Sequence, residues 1–233
     1  MTKILIVGSG TDSIYNLSEY NYIICVNSSI GLIPADYDFK IIHLCVESIF
    51  LSDVDLHSLP LGPHITKLSA MKHRLERSSF LKKRSPLLTF IIGEVSSEQV
   101  SAKKYKPFIL STLNRTTLLR IAIKHFGFRV FLIAAWQHSP SFTCQPFKFI
   151  DVISRLLLVL IGINDLYLPD YIKPSTGVLG IAIALELFVD TKIDLRGIGT
   201  KGYFFAPDIL LDRSKKIGHI IDSIILENLK FNA

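Results

Sequence analysis

The chain opens with an unbroken apolar run at residues 4–7 (ILIV) that stops at Gly8. Similar runs recur at 22–26 (YIICV), 40–46 (KIIHLCV), 87–93 (LLTFIIG) and 129–136 (RVFLIAAW), rich in β-branched residues and lacking period-two alternation. Continuous apolar runs ending in turn residues predict strands buried on both faces, as in a parallel sheet. Longer stretches with a helical period stand between and after them. In 113–128, Leu118, Leu119, Ala122, Ile123 and Phe126 fall on one face. Buried helices are expected over 149–163 (FIDVISRLLLVLIGI) and from Pro174 through VLGIAIALELF. A strand at 192–199 (KIDLRGIG) and a last helix over about 220–229 complete the pattern.

Strand and helix alternate, which predicts an α/β fold. Its form is a Rossmann-like, mainly parallel sheet flanked by helices, with ligands at the carboxyl ends of the strands. A chain of 233 residues, 49% of them hydrophobic, is enough for one large domain over 1–233, with 200–218 read as a mobile lid loop near the C-terminus.

A mean hydropathy of +0.39 raises the question of a membrane span. The longest apolar stretches, 156–163 and 178–189, fall short of the roughly 18 to 20 residues a crossing needs, and the second contains Glu186. Both read as core helices. The start, MTKILIVGSG, enters a strand without the basic, apolar and small-residue regions of an export signal, so a cytoplasmic protein is expected. Cys25, Cys45 and Cys144 sit singly in apolar surroundings and read as reduced core thiols. The net charge is +6, and much of the basic excess lies at 72–84 (KHRLERSSFLKKR) and 101–106 (SAKKYK). A solvated basic face is the default reading of them, and attraction to anionic lipid at the inner face of a membrane, to lipopolysaccharide or to nucleic acid is the second. Neither segment interleaves aromatics with its basic residues in the manner of a stacking platform, so no nucleic acid partner is expected.

Candidate chemistry gathers at three places. Gly8, Ser9 and Gly10 follow the first strand, where glycines let backbone amides approach a phosphate or nucleotide. Ser13 stands where the dinucleotide fingerprint needs its third glycine, and Asn27, not an acid, closes the second strand. Asn27 can cap a turn or offer its amide to a ribose or base. Lys173, Pro174, Ser175, Thr176 and Gly177 open the most apolar helix, as a cap, an anion cradle or both. His219 follows Gly218 at the start of the last helix. Asp36 and Asp38 have the spacing of an Asp-x-Asp metal site but the context of a turn, and no metal site is assigned.

The glycine loop, Asn27, Pro-Ser-Thr-Gly and Gly-His, in that order, resemble the CMP-sialic-acid-dependent sialyltransferases. The likeness covers about 30 residues at the start and 60 at the end. It implies a sialyltransferase-like variant of the GT-A glycosyltransferase fold. The implied activity is inverting transfer of sialic acid, or of Kdo in a related enzyme, from its CMP ester to a glycan or glycolipid acceptor during surface polysaccharide or lipopolysaccharide synthesis. No cofactor is implied beyond the donor, and no divalent metal is essential. Gly8, Ser9, Gly10 and Asn27 would contact the nucleotide, Ser9 standing where the bacterial family usually has Asn. Lys173, Ser175, Thr176 and Gly177 would hold the donor with its carboxylate. His219 would be the general base, and Tyr203 would hydrogen-bond the leaving phosphate. The family's further Asn after strand three is absent from HLCVE at 43–47. Two other readings of the same residues are a non-catalytic nucleotide-binding α/β module and a Rossmann oxidoreductase.

Overall fold

A computed structural model describes residues 1–8, 16–46, 50, 81, 83–94, 100, 104–138, 146–163, 168, 172–198 and 220–231. The chain divides into two compact units, Met1–Leu113 with Asp190–Leu211, and Asn114–Val189 with Asp212–Ala233.

The first unit is a six-stranded sheet of strands β1 (Thr2–Val7), β2 (Tyr22–Val26), β3 (Ile41–Val46), β4 (Leu88–Ile92), β5 (Ile109–Leu113) and β6 (Thr191–Arg196). The order is β5-β4-β3-β2-β1-β6, and every pairing is parallel. With the helices of the second unit, this is an α/β fold with a Rossmann-like parallel sheet. The unbroken apolar runs are the central strands, where Ile4, Ile6, Ile23, Ile24, Cys25, Ile41 and Leu44 are fully buried. Side chains of both parities are excluded from water, so neither face tolerates a polar alternation.

Strand β5 did not register as a strand in the sequence pattern. It is an edge strand whose Ile109 and Leu110 are exposed and whose Ser111 and Thr112 interrupt any apolar run. It leads directly to Asn114, whose side chain caps the next helix by accepting from the Thr116 N–H at 2.6 Å.

Two 3-10 turns, Asn27–Leu32 and Ala35–Lys40, carry the chain from β2 to β3. A buried ion pair fastens them. Arg84 Nε donates to Asp38 Oδ1 at 2.9 Å, and Nη2 reaches the same oxygen. Its Nη1 donates to the carbonyls of Ile30 at 2.6 Å and Ile33 at 2.8 Å, while the Ser85 N–H donates to Asp38 Oδ2 at 2.6 Å. Both Asp38 oxygens are engaged, which accounts for Asp38 structurally. Arg84, the last residue of the basic segment, is buried and so departs from the solvated reading of that segment.

The second unit holds five α-helices among the described residues: α1 (Arg115–Phe126), α2 (Phe128–His138), α3 (Pro146–Leu160), α4 (Thr176–Leu187) and α5 (Ile220–Phe231). Helix α1 packs mainly on α4, and α2 packs on both α3 and α5. Lys124 and His125, in the last turn of α1, both bond Glu186 on α4.

The run 129–136, expected as a strand, is helix α2. Its buried residues Val130, Phe131, Ala134 and Ala135 follow helical spacing, and Trp136 is half exposed. A seven-residue apolar run fits either element, and Gly127 with φ 85° allows one helix to end and another to start at once. The stretch 149–163 is helical as far as Leu160, yet it is buried on one face only. Val152, Leu156 and Val159 face inward while Ile150, Leu157, Leu160, Ile161 and Ile163 are exposed. No helix among the described residues is long and apolar enough to cross a membrane.

Removing one partner of a buried pair strands the other charge. Arg84→Ala should therefore lower unfolding stability by about 3–5 kcal/mol in urea titration. Asp36→Ala, at an exposed position of the same turn, should change it by less than about 0.5 kcal/mol.

Candidate functional site

In the first unit, β2, β3, β4 and β5 are added in turn on one side of β1, and β6 on the other. The strand order therefore reverses between β1 and β6, and in an open parallel sheet the carboxyl ends at such a reversal are where ligands bind. Two glycines meet there. The Gly8 N–H donates to the Arg196 carbonyl at 2.8 Å. A Cβ on Gly8 would lie 2.5 Å from the Gly197 oxygen and 2.9 Å from Ile198 Cγ1, so no larger residue fits without displacing backbone. Gly197 has φ 64°, in the left-handed region. Arg196 ends β6 with an exposed side chain.

Asn27 stands one residue beyond β2, also at the carboxyl edge. Its φ of 55° is left-handed, and two bonds hold it so. Its carbonyl accepts from His43 Nε2 at 2.7 Å, and its Oδ1 accepts from the Val46 N–H at 3.1 Å. A backbone N–H can only donate, so the oxygen of the Asn27 amide must face Val46 and the NH2 is the remaining half. That NH2 has no hydrogen-bond partner among the described residues. Beside it, Ser29 Oγ accepts from the Val26 N–H at 2.7 Å and donates to the Val7 carbonyl at 2.6 Å, tying the ends of β1 and β2 together.

The network continues inward. A carbonyl only accepts, so His43 Nε2 carries the proton given to Asn27. Nδ1 is then unprotonated and accepts from the Tyr105 hydroxyl at 2.7 Å. Tyr105 Oη in turn accepts from Thr89 Oγ1 at 2.6 Å. Each donor and acceptor in this chain has one possible direction. Burial pushes His43 down to about 4 against an ordinary 6.5, pushes Tyr105 well above its usual range and raises the Cys25 thiol to about 12. These groups are neutral at physiological pH. They act as scaffold.

His43 received no role from sequence, although a signal was present. A histidine inside a fully apolar strand has to find hydrogen-bond partners within the fold.

In the second unit, Lys173, Ser175, Thr176 and Gly177 lie together at the start of α4, all half-buried. Ser175 is the N-cap, its Oγ accepting from the Val178 N–H at 3.4 Å. The Ser175 N–H donates to Oδ1 of Asp222 at 2.8 Å. Asp222, from the first turn of α5, is buried, so a carboxylate of the chain already stands at the positive end of α4. The amides of Thr176 and Gly177 have no partner among the described residues. Asp222 was missed because its partner is 47 residues away in sequence. Ser9, Gly10, Tyr203 and His219, with the 200–218 segment, lie outside the described residues. Within the first unit, then, Gly8 and Asn27 come to neighbouring strand ends, and the Pro-Ser-Thr-Gly residues form one helix start in the second.

The His43 pKa sets a pH dependence. Unfolded, the ring takes its proton near 6.5, while the folded chain refuses it until about 4. Below 6.5 the unfolded state therefore binds more protons, and stability falls as pH falls towards 4, by on the order of 3 kcal/mol from this residue. Denaturation of wild type and His43→Gln at matched pH values should show this part of the slope only in wild type. Gly8→Ala should cost about 1–3 kcal/mol in the same assay, because the contact it meets is backbone.

No protein-family model, curated protein or solved structure matches the chain.

Proposed function

We propose that the chain is an inverting glycosyltransferase. It moves a 2-keto acid sugar, sialic acid or Kdo, from its CMP ester to a glycan or glycolipid acceptor in surface polysaccharide or lipopolysaccharide synthesis. On this reading the fold is the sialyltransferase-like variant of GT-A, and the enzyme works at the cytoplasmic face of the membrane. The observation that carries the proposal is Asn27, held in a left-handed conformation with its NH2 unbonded among the described residues, at the carboxyl edge of the sheet and one strand from the Gly8 turn. A donor fixed in that orientation suits a ligand rich in acceptors, such as cytosine O2 and N3 or ribose oxygens.

The remaining roles follow from the donor's chemistry. Gly8, Ser9 and Gly10 line the nucleotide turn. The sugar carboxylate and the phosphate are anions, and the amides of Thr176 and Gly177 with the Ser175 and Thr176 hydroxyls and Lys173 offer donors to them. Asp222 occupies the Ser175 amide, which leaves the next two for the donor. Breaking the C2–O bond builds charge on the leaving phosphate, which the Tyr203 hydroxyl stabilises. His219 removes the acceptor hydroxyl's proton, and a single displacement inverts the anomeric centre. The scheme assigns no step to a divalent metal.

A second reading, a non-catalytic nucleotide-binding module, is favoured by one observation. The titratable groups around Asn27 are buried and held neutral. It predicts CMP binding without turnover.

Thermal shift with CMP, UDP and NAD should single out CMP, whereas an oxidoreductase would respond to NAD. Asn27→Asp keeps the acceptor for the Val46 N–H and replaces the NH2 donor by a carboxylate oxygen that only accepts. It should keep a near-native melting temperature and bind CMP at least about tenfold more weakly. CMP release from CMP-sialic acid and CMP-Kdo should fall by about a hundredfold or more in His219→Ala. Wild type releasing CMP from neither donor would overturn the transferase reading.

A further inference from the structure

We infer that the outward face of α3 is a seat for an anionic membrane surface, on which the helix lies without crossing. Ile150, Leu157 and Ile161, the last just past the end of α3 with its N–H bonded to the Leu157 carbonyl, stand at i, i+7 and i+11, so they share one face, and they are 58%, 49% and 75% exposed. This face, on which the exposed Ser154 also lies, is opposite the one formed by buried Val152, Leu156 and Val159, and the exposed Leu160 widens it. The helix is thus apolar on two sides, one packed within the protein and one turned to solvent. The helix spans 15 residues, too few to cross a bilayer and enough to lie in its surface.

Trp136 stands at the edge of this face. It is half exposed, and its ring meets Phe149 edge-on at 5.5 Å between centroids, one residue before Ile150. An indole with an apolar body and one N–H donor suits the boundary between headgroups and acyl chains.

Charge selects the occupant. The helical unit has eleven basic against seven acidic residues, a net +4 of the chain's +6. Exposed Arg129 lies two turns before Trp136 on the same face of α2. Along the flank of α3, Arg155 donates to Asp151 at 2.8 Å, so the polar residues there already have each other. A second copy on this face would bring two +4 units together. An anionic lipid surface accepts the aliphatic side chains and is attracted by the charge. The inference stands apart from the donor chemistry, and its test needs no nucleotide.

Trp136 is the only tryptophan in the chain, which makes it a direct reporter. Full-length protein is mixed with phosphatidylcholine vesicles, with or without equimolar phosphatidylglycerol. With the anionic vesicles, Trp136 emission should shift to the blue, be quenched by lipids brominated on the acyl chain, and the protein should co-sediment. Vesicles lacking phosphatidylglycerol should bind it more weakly. The double variant Leu157→Glu, Ile161→Glu should keep its melting temperature and partition at least about tenfold more weakly. Should that variant lose stability, brominated-lipid quenching of wild type decides the matter. Unchanged Trp136 emission with anionic vesicles overturns the inference, as does a folded variant that sediments like wild type. A wild-type dimer that the variant splits, with Trp136 indifferent to vesicles, overturns it in favour of a contact between copies.

Discussion

A parallel sheet covered on both faces has no place for an unmatched polar group, and much of the first unit's detail follows from that constraint. Where β2 and β3 end, backbone carbonyls and N–H groups leave the ladder and need new partners. His43, Ser29 and the Asn27 side chain meet the need from within, each bonded to backbone at a strand end. The histidine can do this because it is neutral. Desolvation holds it so, and the Tyr105 and Thr89 hydroxyls satisfy its other nitrogen in a chain with a single direction. Asn27 keeps a left-handed backbone, and its amide orientation is set by Val46 rather than by any ligand.

Arg84 and Asp38 solve the same problem at charge level. Short 3-10 turns leave carbonyls unbonded, and one guanidinium collects two of them while forming its own ion pair. At the start of α4, Asp222 takes the Ser175 amide and the Ser175 hydroxyl takes that of Val178. In each case the polar residue completes the backbone first. Whatever chemistry the molecule performs is left to groups that this accounting does not consume.

The two faces of α3 bear on the high hydropathy of the chain. Part of that apolar content is core, and part is surface held outward on a helix whose other side is packed. Hydropathy alone weighs these contributions equally.

The apolar runs of β1 to β4, the periodic face of α1 and the cap before α4 could be read from the chain, because each rests on residues near one another in sequence. Gly8 and Asn27 could be picked out for the same reason, as turn residues closing apolar strands. The identity of 129–136 as a helix, the edge strand 109–113 and the exposure of α3 could not. A short apolar run fits either element until its neighbours are known, and an edge strand has no continuous apolar signature. His43, Arg84 and Asp222 acquire meaning through partners that include residues 62, 46 and 47 positions away. Local pattern determined which segments become strands and helices wherever burial is uniform. The tertiary structure decided which polar groups are spent on the fold and which stay available, because a hydrogen bond depends on distance in space and not along the chain.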